Sequence, residues 1–212
     1  MLDRKKRKTK QTKTFTQVVF LAILVSIIIL GVVYADVYEG NWSDGSHGVR
    51  KVTLDYEFWH LDEYSDYKTA VNNARRSWNN LHVRVQLYSF GLGAPGEDIH
   101  FRKPQYYAAQ YAGRALFYQI RWWWWDKNID PESGDDWDYV IIELNKNVLD
   151  DLGLEYKQKV ACHEIGHALG LGHPADSSTI AVMRQGFIYS NGNLIYTPMW
   201  YDRENLYLKY GN

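Results

Sequence analysis

Cysteine is nearly missing from this chain. Cys162 is the only one, so no intramolecular disulfide can form, and stability must come from packing or a bound metal. A basic surplus is missing too. Seven of the 24 Lys/Arg and one of the 25 Asp/Glu fall in residues 1–13, which leaves 17 basic and 24 acidic residues, net −7, for the remainder. A mildly acidic body argues against nucleic acid as a partner. There is no glycine-rich phosphate loop, and the EF-hand spacing of calcium ligands does not occur. Apolar and aromatic residues, by contrast, are plentiful. They make up 46% and 16% of the 212 residues, enough for one domain with a Trp- and Tyr-rich core plus a short appendage.

The appendage is residues 1–35. A basic stretch, densest at Arg4-Lys5-Lys6-Arg7-Lys8, is followed by an apolar run from Val18 to Val33 broken only by Ser26 and Gly31. Val33-Tyr34-Ala35 then sets small residues at the −3 and −1 positions of a cleavage site before Asp36. This order reads as a secretory signal peptide, with an uncleaved N-terminal membrane anchor as the alternative. Both readings keep the positive charge inside and place residues 36–212 outside the cell. The body is then secreted, or is held at a membrane only if the leader is retained.

The densest chemistry lies in Val160-Ala161-Cys162-His163-Glu164-Ile165-Gly166-His167-Ala168-Leu169-Gly170-Leu171-Gly172-His173. His163 and His167 are four apart, so on a helix they share one face. That spacing brings two imidazoles to one zinc, at Zn–N distances of about 2.0–2.1 Å. Glu164 projects beside the metal, where a carboxylate can take a proton from water. Gly170 lets the chain leave the helix through a left-handed turn, and His173 returns as a third nitrogen ligand. Three protein ligands leave a fourth position open, as in a catalytic rather than a structural zinc site.

His163 to His173 matches H-E-x-x-H-x-x-G-x-x-H in full and so resembles the metzincin metalloproteases, most closely the matrixin branch. The resemblance implies a Met-turn, and Met183 in Ala181-Val182-Met183 is its candidate, flooring the histidine cluster without binding the metal. Gln185, where astacins and serralysins use Tyr, favours matrixins over those branches. Pro174, where matrixins favour a small polar residue, and a Met-turn two residues late are departures from the pattern. The matrixin latency cysteine has no counterpart. Cys162 lies about 100° from the metal-facing side of the helix and reads as a buried filler, and Asp36–Val49 is too short for an inhibitory prodomain.

What the resemblance implies for fold is an α+β, zincin-like domain. It would hold a twisted, mainly parallel mixed sheet of five strands, two long helices including the active-site helix, the Met-turn and a C-terminal helix. The periodicity agrees. Strands are expected at 51–59, 83–87, 98–101, 113–125 and 139–144, and helices at 64–81, 156–169 and 202–210, with Asp202 placed to cap the last. The implied function is a secreted endopeptidase acting on a protein or peptide laid along a sheet edge. Zn2+ is the cofactor, His163, His167 and His173 the ligands, and Glu164 the general base. Ile188, Tyr189, Ile195, Tyr196 and Pro198 are candidates to wall the specificity pocket. The acidic loop Asp130–Asp138 is a candidate for structural Ca2+. A monomer is expected.

One other reading comes from Trp122-Trp123-Trp124-Trp125. On a strand the four would face alternate sides, one pair joining the core and the other covering a loop. Exposed instead, they would form a platform for glycan or protein, and the chain would be a non-catalytic zinc-containing binding module. His47, His60, His82 and His100 are scattered and read as surface or satisfied core histidines.

Overall fold

The computed structural model describes residues 37–43, 49–54, 58, 61–81, 84–90, 98–108, 110–121 and 125–211. The leader, His47, His60, His82 and Trp122–Trp124 lie outside the described residues, as do the expectations attached to them. The described part is a mixed α+β fold built on one sheet. Its strands are β1 (Val49–Leu54), β2 (Gln86–Phe90), β3 (Ile99–Phe101), β4 (Gly113–Arg121), β5 (Trp125–Ile129) and β6 (Tyr139–Leu144). They lie in the order β2-β1-β3-β6-β4-β5. The first four in that order run parallel, while β4 is antiparallel to both β6 and β5.

The sheet therefore has six strands where five were expected. Residues 113–125 do not form one strand. β4 ends at Arg121, and β5 folds back on it with Arg121 opposite Trp125 and Phe117 opposite Ile129. The sequence between them is apolar and carries none of the Gly, Pro or Asn signals that mark a reversal. The central strand β6, between parallel β3 and antiparallel β4, is apolar apart from Glu143 and turns Val140, Ile142 and Leu144 into the core. Val140, Ile142 and Leu144 are fully buried, and so is Glu143, whose carboxylate accepts from Arg102 and Arg114 at 2.7 and 2.6 Å.

Two long helices pack against each other, α1 (Ser65–Asn79) and, after the short α2 (Lys146–Leu149), α3 (Leu154–Ala168). α1 turns one stripe inward, Tyr67, Ala70, Val71, Ala74 and Trp78, at the spacing its sequence predicts. The Trp78 indole reaches α3 and donates to the Cys162 carbonyl at 2.9 Å. Cys162 is the free, fully buried filler expected of it, and burial pushes its thiol well above the usual range. α3 is buried almost all round, from Lys157 to Ala168, because one side meets the core and the other floors a cleft.

A two-stranded hairpin, β7 (Tyr189–Ser190) with β8 (Asn193–Leu194), precedes α4 (Trp200–Tyr210). Asp202 is not the N-cap of α4, as the sequence suggested. Met199 takes that place, and Asp202 sits three residues in, its carboxylate accepting from the Met199 N–H at 2.7 Å. Among the described residues no helix is long and apolar enough to cross a membrane.

Candidate metal centre and cleft

α3 presents His163 and His167 on one face because four residues make about one turn. The helix ends in a Schellman motif. Leu171 N–H donates to Gly166 O at 3.0 Å and Gly170 N–H to His167 O at 2.7 Å, with Gly170 left-handed at φ 82°. This tight exit sends the chain back along its own axis and delivers His173 beside the two helical histidines.

The three Nε2 atoms converge. His163 to His167 is 3.1 Å, His163 to His173 is 3.1 Å, and His167 to His173 is 3.0 Å. Tetrahedral zinc with Zn–N near 2.0–2.1 Å sets its nitrogens about 3.3 Å apart, so the spacing fits one ion. The tautomers fit as well. His163 Nδ1–H donates to the Val182 carbonyl at 2.9 Å, and His167 Nδ1–H to the Leu171 carbonyl at 2.8 Å. A carbonyl can only accept, so in His163 and His167 the proton sits on Nδ1 and Nε2 turns a bare lone pair inward. Lone pairs at 3 Å repel one another unless a cation lies at their focus. Among the described residues these histidines form the one group of three or more His, Cys, Asp or Glu side chains close enough to hold a metal.

Burial keeps these rings neutral. It pushes His163 well below the usual histidine range and His167 down to about 3, and it also lowers His173. In an unfolded chain the same rings titrate at about 6.5. Between those values the unfolded chain binds more protons than the folded one, so stability of the metal-free protein rises with pH and is lost on acidification. Glu164, raised by burial to about 8, acts in the opposite sense from about pH 4.5 to 8, but it is one group against three. In metal-free urea denaturation from pH 7 to 4, His167→Gln should lose less stability than the parent. Equal pH slopes would show that His167 is not held neutral by burial.

Glu164 lies beside the cluster, 5% exposed, and its carboxylate accepts from the Ala115 N–H of β4. The approach of β4 to α3 depends on Gly113. A Cβ there would lie 2.5 Å from Val160 Cγ1 and 3.0 Å from the Glu164 Cγ and Oε1. On the general-base role that the sequence resemblance implies for Glu164, Gly113→Ala should push the carboxylate aside and lower turnover about a hundredfold, the scale of a 1 Å misplacement. Zinc content should stay at the parental level. Unchanged turnover would mean that the Glu164 position is not critical.

Met183 packs against α3 at Gly166. A Cβ on Gly166, the residue before His167 in α3, would lie 2.1 Å from its Sδ. The turn carrying it is tied from two sides. Asp202 accepts from Val182 N at 2.8 Å and Met183 N at 3.1 Å, and Lys159 Nζ donates to the carbonyls of Val182 and, at 3.1 Å, Arg184. Lys159 is 2% exposed, and burial pulls its ammonium down to about 8. Neither tie was read from the sequence, because neither residue lies near Met183 in a local pattern.

The cleft over this site has a volume of about 900 Å³. It runs along β4 residues 113–117 and is closed on the other side by Gln185, Gly186 and Phe187. β5 pairs with β4 only from Phe117 to Arg121, so one edge of Gly113–Leu116 meets no other described strand and borders the cleft. The expected pocket residues are placed differently. Ile188 and Ile195 are buried beneath the hairpin and Tyr189 is exposed, while Phe187 lines the cleft. Gln185, noted only for not being Tyr, sets its side-chain amide 3.3 Å from His173 Nδ1. In the candidate calcium loop three carboxylates accept hydrogen bonds from within the protein. Asp130 accepts from Glu132 N at 2.9 Å, Asp136 from Asn41 N at 2.7 Å, and Asp138 from Ile120 N at 2.6 Å and from the Ser43 hydroxyl.

The family model for Matrixin matches residues 60–195, well over half of the chain. The chain belongs to the Matrixin family. Matrixins are zinc metallopeptidases, and the histidine trio lies within the matched span. No curated protein matches this chain. Among solved structures it is similar to two of myroilysin. One is 14% identical with a TM-score of 0.48, over 84% of this chain and 99% of that one. The other is 12% identical with a TM-score of 0.46, over 82% and 92%. A third, the GM1-bound form of the ECX AB5 holotoxin, is 16% identical with a TM-score of 0.43, over 76% and 80%.

Proposed function

We propose that this matrixin is a zinc-dependent endopeptidase whose ion is held by His163, His167 and His173 and whose general base is Glu164. The observation that carries the reading is the convergence of three Nε2 atoms at 3.0–3.1 Å beside a carboxylate in an open cleft. Bound zinc supplies Lewis-acid polarisation of the scissile carbonyl and acidifies water. The rest belongs to the chain. The cleft-side edge of Gly113–Leu116, which meets no other described strand, offers backbone groups to an extended peptide and so orients the scissile bond over the cluster. Glu164, held by Ala115 N–H, takes the proton from attacking water and hands it to the departing amine. Phe187 and Val160 give the cleft an apolar wall for a substrate side chain.

Metal analysis combined with digestion tests this. The purified protein should carry one zinc and cleave casein and an internal-peptide library. Removing the metal with 1,10-phenanthroline should abolish cleavage, and added zinc should restore it. Protein that binds no zinc, or cleaves equally well without it, would sink the reading. We further propose that the leader exports the domain. Its basic stretch followed by an apolar run supports this, and N-terminal sequencing of exported protein beginning at Asp36 would mark release rather than anchoring.

A further inference from the structure

The Nδ1 side of His167 meets different partners from those of His163 and His173. Its Nδ1 lies 2.8 Å from the Leu171 carbonyl and also 2.8 Å from the Tyr38 hydroxyl oxygen. The Tyr38 ring stacks on the imidazole, with centroids 5.8 Å apart and planes within 14°. Tyr38 comes from a segment 129 residues away in sequence. That segment, residues 37–43, lies before the 60–195 span matched by the family model, so family membership alone does not supply it.

We infer that Tyr38 is a positioning residue for His167, and that residues 37–43 form a strap that holds it there. This rests on the proposed role of His167 as a metal ligand. Because Leu171 O can only accept, the Nδ1 proton is shared between two oxygens. Two acceptors on one N–H fix the ring plane, and they raise the electron density that Nε2 offers to a cation. The stacked phenol blocks rotation from the side.

The strap is anchored both on the turn that follows His167 and on elements away from the histidines. Val37 bridges Leu171, and Tyr38 N–H donates to Gly170 O at 2.9 Å. Lys209 of α4 donates to the carbonyls of Tyr38 and Gly40 at 2.8 and 2.6 Å. Phe117 meets the Tyr38 ring edge-on at 5.8 Å. Further along, Trp42 is buried against Trp137 at 5.8 Å, and backbone bonds run from Ser43 N to Trp137 O and from Trp137 N to Asn41 O, both 2.9 Å. The hydroxyl therefore reaches His167 from a fixed platform, not from a freely moving tail.

The experiment measures zinc affinity, not turnover. In the full chain, Tyr38→Phe keeps the stacked ring and removes the oxygen. Competition with a chromophoric chelator should show zinc bound about tenfold more weakly, the lower end of what losing a hydrogen-bond partner of a ligand costs. The metal-free thermal midpoint should stay at the parental value. Lys209→Met frees the two strap carbonyls without touching a histidine, and it should weaken zinc in the same direction. Parental zinc affinity in Tyr38→Phe would overturn the inference, and so would a loss that only tracks a lower metal-free midpoint. Parental affinity in Lys209→Met would overturn the role of the strap. A parent that binds no zinc would instead sink the peptidase reading, and the two failures are thereby told apart.

Discussion

Glu164→Ala should lower kcat/KM for a casein-like protein about a thousandfold while leaving one zinc bound, since positioned proton transfer contributes roughly 10²–10⁴-fold. Glu164 is not among the three side chains grouped closely enough to hold a metal, so its loss leaves the ligand set intact. The proton transfer proposed for it is made only in the transition state. The fall should therefore appear in kcat, with KM little changed. Folding should not suffer. Burial is what raises the Glu164 carboxyl to about 8, so the folded state already disfavours its charge. Removing the group removes that cost, against the loss of one acceptor for Ala115 N–H. Glu164→Gln keeps an oxygen for that N–H but cannot take a proton, and it should be as inactive as the alanine variant. Parental cleavage by either protein would mean that the base lies elsewhere.

Much of this site is legible in the sequence because its chemistry follows local geometry. His163 and His167 are one helical turn apart, Glu164 is adjacent, and Gly170 permits the Schellman exit that returns His173. Each step is a short-range rule applied to a residue and its near neighbours. The strands with alternating or wholly apolar patterns, β3 and β6, are legible for the same reason. What could not be read depends on distant partners. Tyr38 reaches His167 across 129 residues, and no periodicity marks it. Asp202 looks like a helix cap from its neighbours alone, yet its carboxylate also gathers the N–H groups of the Met-turn 19 and 20 residues earlier. Phe187, rather than its apolar neighbours, lines the cleft because the hairpin twists Ile188 inward, where its carbonyl accepts from Ile195 N–H at 2.7 Å. The β4–β5 reversal is hidden by a run of tryptophans that offers no turn chemistry.

Asp202→Ala should produce the largest loss of stability, and with it a loss of metal. The carboxylate is fully buried and satisfies three backbone donors, Val182 N at 2.8 Å, Met183 N at 3.1 Å and Met199 N at 2.7 Å. Leaving a buried donor unpaired costs about 1–3 kcal/mol each. Burial also raises the Asp202 carboxyl, so part of the gain is already spent on desolvation. A net loss of about 3 kcal/mol is therefore expected, or roughly 6–12 °C in Tm for a domain of this size. The local consequence is sharper. Val182 is held through its N–H by Asp202, and its carbonyl holds the Nδ1 proton of His163. Freeing one side of Val182 loosens the other, so zinc should bind about 10–100-fold more weakly. Asp202→Asn retains one accepting oxygen but turns an NH2 toward the remaining donors, so it should fall between the parent and Asp202→Ala on both measures. The contrast with Glu164→Ala then separates the two carboxylates. One variant should keep metal and fold but lose turnover, and the other should lose stability and metal together. Parental zinc affinity in Asp202→Ala would show that the Met-turn holds its shape without this carboxylate.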